Sequence, residues 1–98
     1  MIKQLLLFKF KESVQKETID LFFQKYKELE RLDSLENVEY GENISTEGFD
    51  KGFKYGAVAT FKNKESVNLF LNHPDHIELA EKYLNPFLDD FILVEYEV

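Results

Sequence analysis

The stretch IKQLLLFKF, residues 2–10, decides the fold. Ile2, Leu6, Phe8 and Phe10 recur on one side of an alternating pattern. Leu5 and Leu7 occupy the other side, between Lys3 and Lys9. A repeat of two is the period of an extended strand. A strand that faces water on one side carries polar residues there. This one is apolar at its centre on both sides, so it reads as a strand buried on both faces.

Downstream the period changes. In TIDLFFQKYKELERL (18–32), Ile19, Phe22, Phe23, Tyr26 and Leu29 form one helical stripe, opposite Asp20, Lys25, Lys27, Glu28 and Glu30. That pattern predicts an amphipathic helix. NVEYGENI (37–44) reads as a short, more polar strand, and STEGFDKG as a glycine-containing loop. FKYGAVATF (53–61) alternates again, with Phe53, Tyr55, Ala57, Ala59 and Phe61 on one face. NKESVNLFLN (63–72) reads as a short helix capped by Asn63. Pro74 suits the first turn of a further helix, running from 74 to about 85. Ile77, Ala80, Tyr83 and Leu84 would supply its buried stripe, and Pro86 would weaken or end it. FILVEYEV (91–98) is the last strand, with Ile92, Val94, Tyr96 and Val98 along one face.

The order is β-α-β-β-α-β, an α+β, ferredoxin-like pattern over a single domain, 1–98. Right-handed crossovers put both helical segments on one side of a four-stranded antiparallel sheet. The second face then carries Leu5, Leu7, Val58, Ile92, Val94 and Tyr96, an apolar patch of the kind that marks an interface. A symmetric homodimer, two sheets face to face, would close a barrel-like core. A register slip of one residue would exchange the two faces.

Composition narrows the partners. Ninety-eight residues make one domain, and 44% apolar residues with ten Phe and five Tyr are enough for a core. Nineteen acidic against twelve basic residues give a net charge of −7, which repels nucleic acid and anionic membrane surfaces. With no cysteine there is no disulfide framework and no thiolate chemistry. No run approaches the roughly 20 apolar residues of a membrane span. The opening apolar run is too short for a signal peptide, so a cytoplasmic protein is expected.

FLNHPDHIELA, residues 70–80, holds both histidines. His76 would sit near the third position of the helix begun at Pro74. Imidazole titrates near neutral pH and can take and return a proton. The positive end of the helix would lower its pKa and favour the neutral base. The competing reading is a partly buried histidine with its hydrogen bonds satisfied. His73 reads as a helix-start residue and Asp75 as a favourable anion in the first turn. A transition metal needs three or four converging ligands, and no third His or any Cys exists, so no metal is assigned. Nothing implies a cofactor.

Taken together, MIKQLLLFKFKE, the LFF of the first helix, YGENIS, KGFKYGAVATF and above all FLNHPDH resemble the stress-responsive A/B barrel (Dabb) family. That family belongs to the dimeric α+β barrel superfamily, and the resemblance runs over essentially the whole chain. It implies the βαββαβ fold and a homodimer joined through its sheets, but no single activity. Members include plant stress-induced proteins, bacterial proteins of unassigned role and a plant polyketide cyclase. In the cyclase a pocket between helices and sheet holds the substrate, and the second histidine of the His-Pro-x-His element is the base. That histidine falls on His76. The cyclase's tyrosine partner falls on Phe70 and a first-strand pocket histidine on Gln4, so two polar groups are altered. Apolar pocket positions fall on Leu6, Phe8, Phe22, Phe23, Tyr26, Ala57, Leu79 and Phe91.

The resulting expectation is a homodimer that binds a small apolar or carbonyl-containing molecule between helices and sheet. Proton transfer would centre on His76, with Tyr26 as a replacement hydroxyl. The alternative is a stress-associated binding or interaction protein without catalysis.

Overall fold

The computed structural model describes residues 1–98. β1 (Ile2–Phe10) lies inside a four-stranded sheet of order β2-β3-β1-β4, with β2 at Asn37–Glu42, β3 at Tyr55–Phe61 and β4 at Leu88–Glu97. Every pairing is antiparallel. Register places Leu6 between Ala57 and Leu93, and Phe8 between Tyr55 and Phe91. Leu5, on the opposite face, sits between Val58 and Val94. The alternation read from residues 2–10 is therefore the alternation observed: Ile2, Gln4, Leu6 and Phe8 are buried, whereas Leu7 reaches the surface.

α1 (Lys16–Glu28) buries Ile19, Phe22, Phe23 and Tyr26 against that face, and tightens into a 3-10 turn at Leu29–Arg31. The Glu30 carboxylate accepts from the Val38 backbone N–H and from Lys27, which ties the end of the helix to β2. α2 (Lys64–Leu71) starts as predicted, with the Asn63 side chain accepting from the Ser66 N–H at 2.9 Å. The chain thus has the α+β, ferredoxin-like architecture, a four-stranded antiparallel sheet with helices over one face.

Three details depart from expectation. β3 begins at Tyr55 instead of residue 53, because an Asp50-centred turn holds the preceding residues. Asp50 accepts from the Gly52 and Phe53 N–H groups, and Gly52 has a positive φ of 87°. β4 begins at Leu88, earlier than 91, with a shift in its pairing to β1 between Lys9 and Phe10. The expected helix over 74–85 is α-helical only at α3 (Pro74–Glu78). It then widens into a π-helical coil, Leu79–Leu84, and closes in a 3-10 turn at Asn85–Phe87. Pro86 has no N–H to continue the ladder. The inward side is set one residue earlier than expected, at His76. Ile77, expected inside, is 43% exposed, while Leu79 is buried and Ala80, Tyr83 and Leu84 are half-buried.

The sheet's other face is uncovered within the chain. Leu7, Ile92, Val94 and Tyr96 are each 39–48% exposed there, and Leu5 and Val58 are half-buried beside them.

Candidate functional site

Where α1 and the π coil bridge β1 and β4, the covered face is hollow. The cavity measures about 270 Å³. Leu6, Phe8, Phe91 and Leu93 form its floor, and Phe22 and Tyr26 its α1 wall. Leu79, Ala80 and Leu84 of the π coil face them, and Phe70, Leu71 and His76 close the end beneath α2. Leu93 points to this face yet is 45% exposed, since β4 is an edge strand, so the mouth opens there.

The polar groups are few. The His76 ring lies against Phe70, centroids 4.8 Å apart, with Nδ1 3.2 Å from the Leu71 carbonyl oxygen. A carbonyl only accepts, so the neutral ring carries its hydrogen on Nδ1 and leaves the lone pair on Nε2. Burial pushes the His76 pKa below its ordinary value, opposed by the Leu71 bond. The lowering expected from the helix end is thus supplied mainly by burial; α3 is little more than one turn long. Tyr26 is buried, and burial pushes its phenol far above the ordinary range, so the hydroxyl stays protonated. It has no hydrogen-bond partner in the chain, yet no fully enclosed side-chain polar atom is left unpaired. The hydroxyl is therefore not sealed in, and Tyr26 is one of the residues that line the cavity. Gln4, 3% exposed, donates from Nε2 to Glu95 Oε1 at 2.9 Å.

Of the residues singled out from sequence, Gln4, Leu6, Phe8, Phe22, Tyr26, Phe70, His76, Leu79 and Phe91 meet around the cavity. Phe23 and Ala57 do not. Neighbouring helical residues diverge by about 100°, so Phe23, although its ring lies 4.9 Å from that of Phe22, sits behind it and outside the cavity lining. The Phe23 ring packs 4.8 Å from that of Tyr40 and 5.7 Å from that of Tyr55, and Ala57 lies in β3 between Leu6 and Tyr40. Sequence reasoning missed Leu71, Ala80, Leu84, Asn85, Leu88 and Leu93 as lining residues. Parity with Phe91 was a signal for Leu93; none existed for Leu88, which lay before the expected strand.

His73 caps α3, its Nδ1 accepting from the Asp75 N–H at 3.0 Å, and Asp75 pairs with Arg31. That ion pair fastens the turn after α1 to the segment bearing His76. It crosses a charged cleft of about 170 Å³ in which Lys25 lies 5.0 Å from the Tyr83 ring centroid. No three His, Asp or Glu side chains converge as a metal-ligand set, and no helix is long and apolar enough to cross a membrane.

The family model for the stress responsive A/B barrel domain matches residues 2–98. Among relatives, the Arabidopsis thaliana stress-response A/B barrel domain-containing protein HS1 is 30% identical, over 98% of this chain and 88% of its own. Olivetolic acid cyclase of Cannabis sativa is 22% identical, over 97% and 94%. The crystal structure of At3g17210 from Arabidopsis thaliana superposes with a TM-score of 0.92 at 28% identity, covering 100% of this chain and 95% of that one. A dimeric ferredoxin-like protein of unknown function from Thermobifida fusca gives 0.84 at 18%, covering 99% and 90%. Hydroxynitrile lyase from Passiflora edulis gives 0.87 at 17%, covering 99% and 92%. Sheet order, helix placement and the match from end to end agree: the chain belongs to the stress responsive A/B barrel (Dabb) family.

Proposed function

We propose that this protein is a homodimer that binds a small apolar, carbonyl-containing molecule in the cavity and moves a proton on it through His76. The observation that carries the reading is the state of that ring. Nδ1 is tied to the Leu71 carbonyl, burial favours the neutral form, and Nε2 is left unpartnered on the wall of an apolar cavity. A guest there needs apolar surface and few polar points of attachment. Nε2 takes a proton from carbon next to the guest's carbonyl, and the C–H electron pair passes to the oxygen as an enolate. The protonated Tyr26 hydroxyl donates to that oxygen, and the imidazolium returns the proton to complete the shift. The cyclase and the lyase among the similar proteins support chemistry on this fold.

The uncovered sheet face supports the dimer. Leu5, Leu7, Val58, Ile92, Val94 and Tyr96 make a continuous apolar surface, and a solved neighbour of the same fold is described as dimeric. Light scattering at micromolar concentration gives twice the chain mass on this reading; a stable monomer overturns it.

Phe70 favours a second reading. It brings a bare ring where the cyclase resemblance places a hydroxyl, so the protein would bind its guest without reaction. Deuterium uptake beside the carbonyl of 4-ethylacetophenone, followed by NMR in D₂O, separates the two. Catalysis predicts uptake that falls about 10²–10⁴-fold in His76→Ala. Binding with uptake at the buffer rate leaves the second reading. Absence of any binding removes the cavity as a ligand site.

A further inference from the structure

The cover of the cavity on the β4 side is a strap, residues 74–87, in which α3, the π coil and the closing 3-10 turn follow one another. Leu79 is its one fully buried side chain. The hollow lies beneath it, so outside its own run the coil packs chiefly on α1. A segment with so little buried apolar contact opens at lower cost than the core around it. Both ends are tied by backbone bonds. The His73 N–H donates to the Phe70 carbonyl at 3.1 Å, and the Lys11 N–H to the Phe87 carbonyl at 3.0 Å. Between those ties two side-chain clasps cross the charged cleft: the Arg31–Asp75 ion pair, and the Lys25 ammonium 5.0 Å from the Tyr83 ring centroid. Leu79 stands between that cleft and the cavity and lines both.

We propose that the strap is the gate of the cavity, held shut by the Arg31–Asp75 and Lys25–Tyr83 clasps and lifted from α1 when a guest enters or leaves. The inference deepens the cavity reading above and rests on it. The mouth shows how the gate would act. Leu93 of β4 forms one lip, and Asn85 of the strap, exposed yet lining the same cavity, forms the other. Lifting the strap widens that opening while the floor on β1 and β4 stays in place. The strength of the clasps suits the task. The Arg31 and Asp75 side chains are 59% and 38% exposed, and exposed pairs of this kind shift an equilibrium by only about one- to fivefold. A cation over a ring at an exposed site adds a similar amount. A strap buried along its length would stay shut, whereas fastenings this weak part and close again, as a gate requires.

The test reads the whole protein without and with a guest. By amide hydrogen exchange, residues 79–84 should open independently of the sheet. Arg31→Gln should speed their exchange about two- to fivefold and leave the β1 amides unchanged. Asp75→Asn should do the same, and the double variant should go no further than either, because all three lack one and the same bond. Raising NaCl from about 0.1 M to about 1 M cuts the Debye length from about 10 Å to about 3 Å, and should speed the strap in wild type far more than in Arg31→Gln. With 4-ethylacetophenone as guest, NMR exchange broadening should show association and dissociation quickening together in Arg31→Gln at unchanged Kd. A merely structural contact would move Kd or global stability instead. Strap amides that exchange only with the core, or at the same rate in Arg31→Gln, overturn the gate, and guest binding by wild type then leaves the cavity reading standing. Guest exchange that ignores a faster strap overturns the gate equally. If 4-ethylacetophenone does not bind at all, the cavity reading falls and the gate with it.

Discussion

The two ends of the covered sheet face are lined by similar residues and finish differently. Toward β2 and β3 the space is solid: the Phe8, Phe10, Phe23, Tyr40 and Tyr55 rings lie within 4.8–6.4 Å of a neighbour in the set. Toward β4 the rings of Phe22, Phe70 and Phe91 border a hollow. Phe8 touches both ends, 5.3 Å from Phe23 and 5.4 Å from Phe91. Aromatic content therefore does not decide whether a face fills. The covering backbone does. A regular helix, α1, seats Phe23 into the β2–β3 end and lends Phe22 and Tyr26 to the other, where the π coil over β4 holds its backbone wider and contributes only Leu79, Ala80 and Leu84. Wide coils of this kind recur at functional sites.

Phe23→Ala tests the solid end most severely. Phe23 is 3% exposed, so truncation should cost about 3–5 kcal/mol, read from denaturant unfolding, while leaving guest affinity unchanged in the folded fraction. A cost below about 1 kcal/mol would show that this end is also loosely filled.

A matched pair of insertions sharpens the contrast. Ala57→Leu adds bulk beneath α1 where none fits, and should cost about 1–3 kcal/mol. Ala80→Leu adds the same bulk to the hollow. It should change stability by less than about 1 kcal/mol and abolish binding of 4-ethylacetophenone. Equal costs at the two positions would mean that the cavity closes in solution.

What the sequence revealed of this arrangement follows from how local each cause is. The β1 alternation, the α1 stripe and the Asn63 cap are decided within a few residues, and each is found where it was read. The π coil leaves no such mark. LAEKYL has the composition of an ordinary helix, and its widening depends on the fit between α1, β4 and the Pro86 stop. Ile77 was placed inside because its neighbour His76 carries no apolar mark, and Phe23 joined Phe22 in the site because a stripe does not reveal which of two touching rings borders a hollow. His76 and Gln4 were reached through family resemblance. Their useful states, a tautomer set by the Leu71 carbonyl and an amide turned by Glu95, depend on partners that only folding brings near.

The smallest effect separates the ends by charge. In the unfolded chain His76 takes up a proton as pH falls through about 6.5. Folded, its burial resists that proton, so its pKa is lowered. Between the two values the unfolded state binds more protons, and stability declines as pH falls through that window. The contribution is fully present above about 6.5 and lost as pH drops through the folded pKa. Carboxylates with lowered pKa values, Glu95 and Asp75 among them, weaken only below about 4.5, so their loss is separate. His76→Gln, which can still donate to the Leu71 carbonyl, should therefore lose less stability than wild type between pH 7 and 5. Phe23→Ala, altered only at the solid end, should keep the wild-type slope. If His76→Gln keeps it too, water reaches the ring freely. The hollow end would then lack the shielded base that distinguishes it from the solid one.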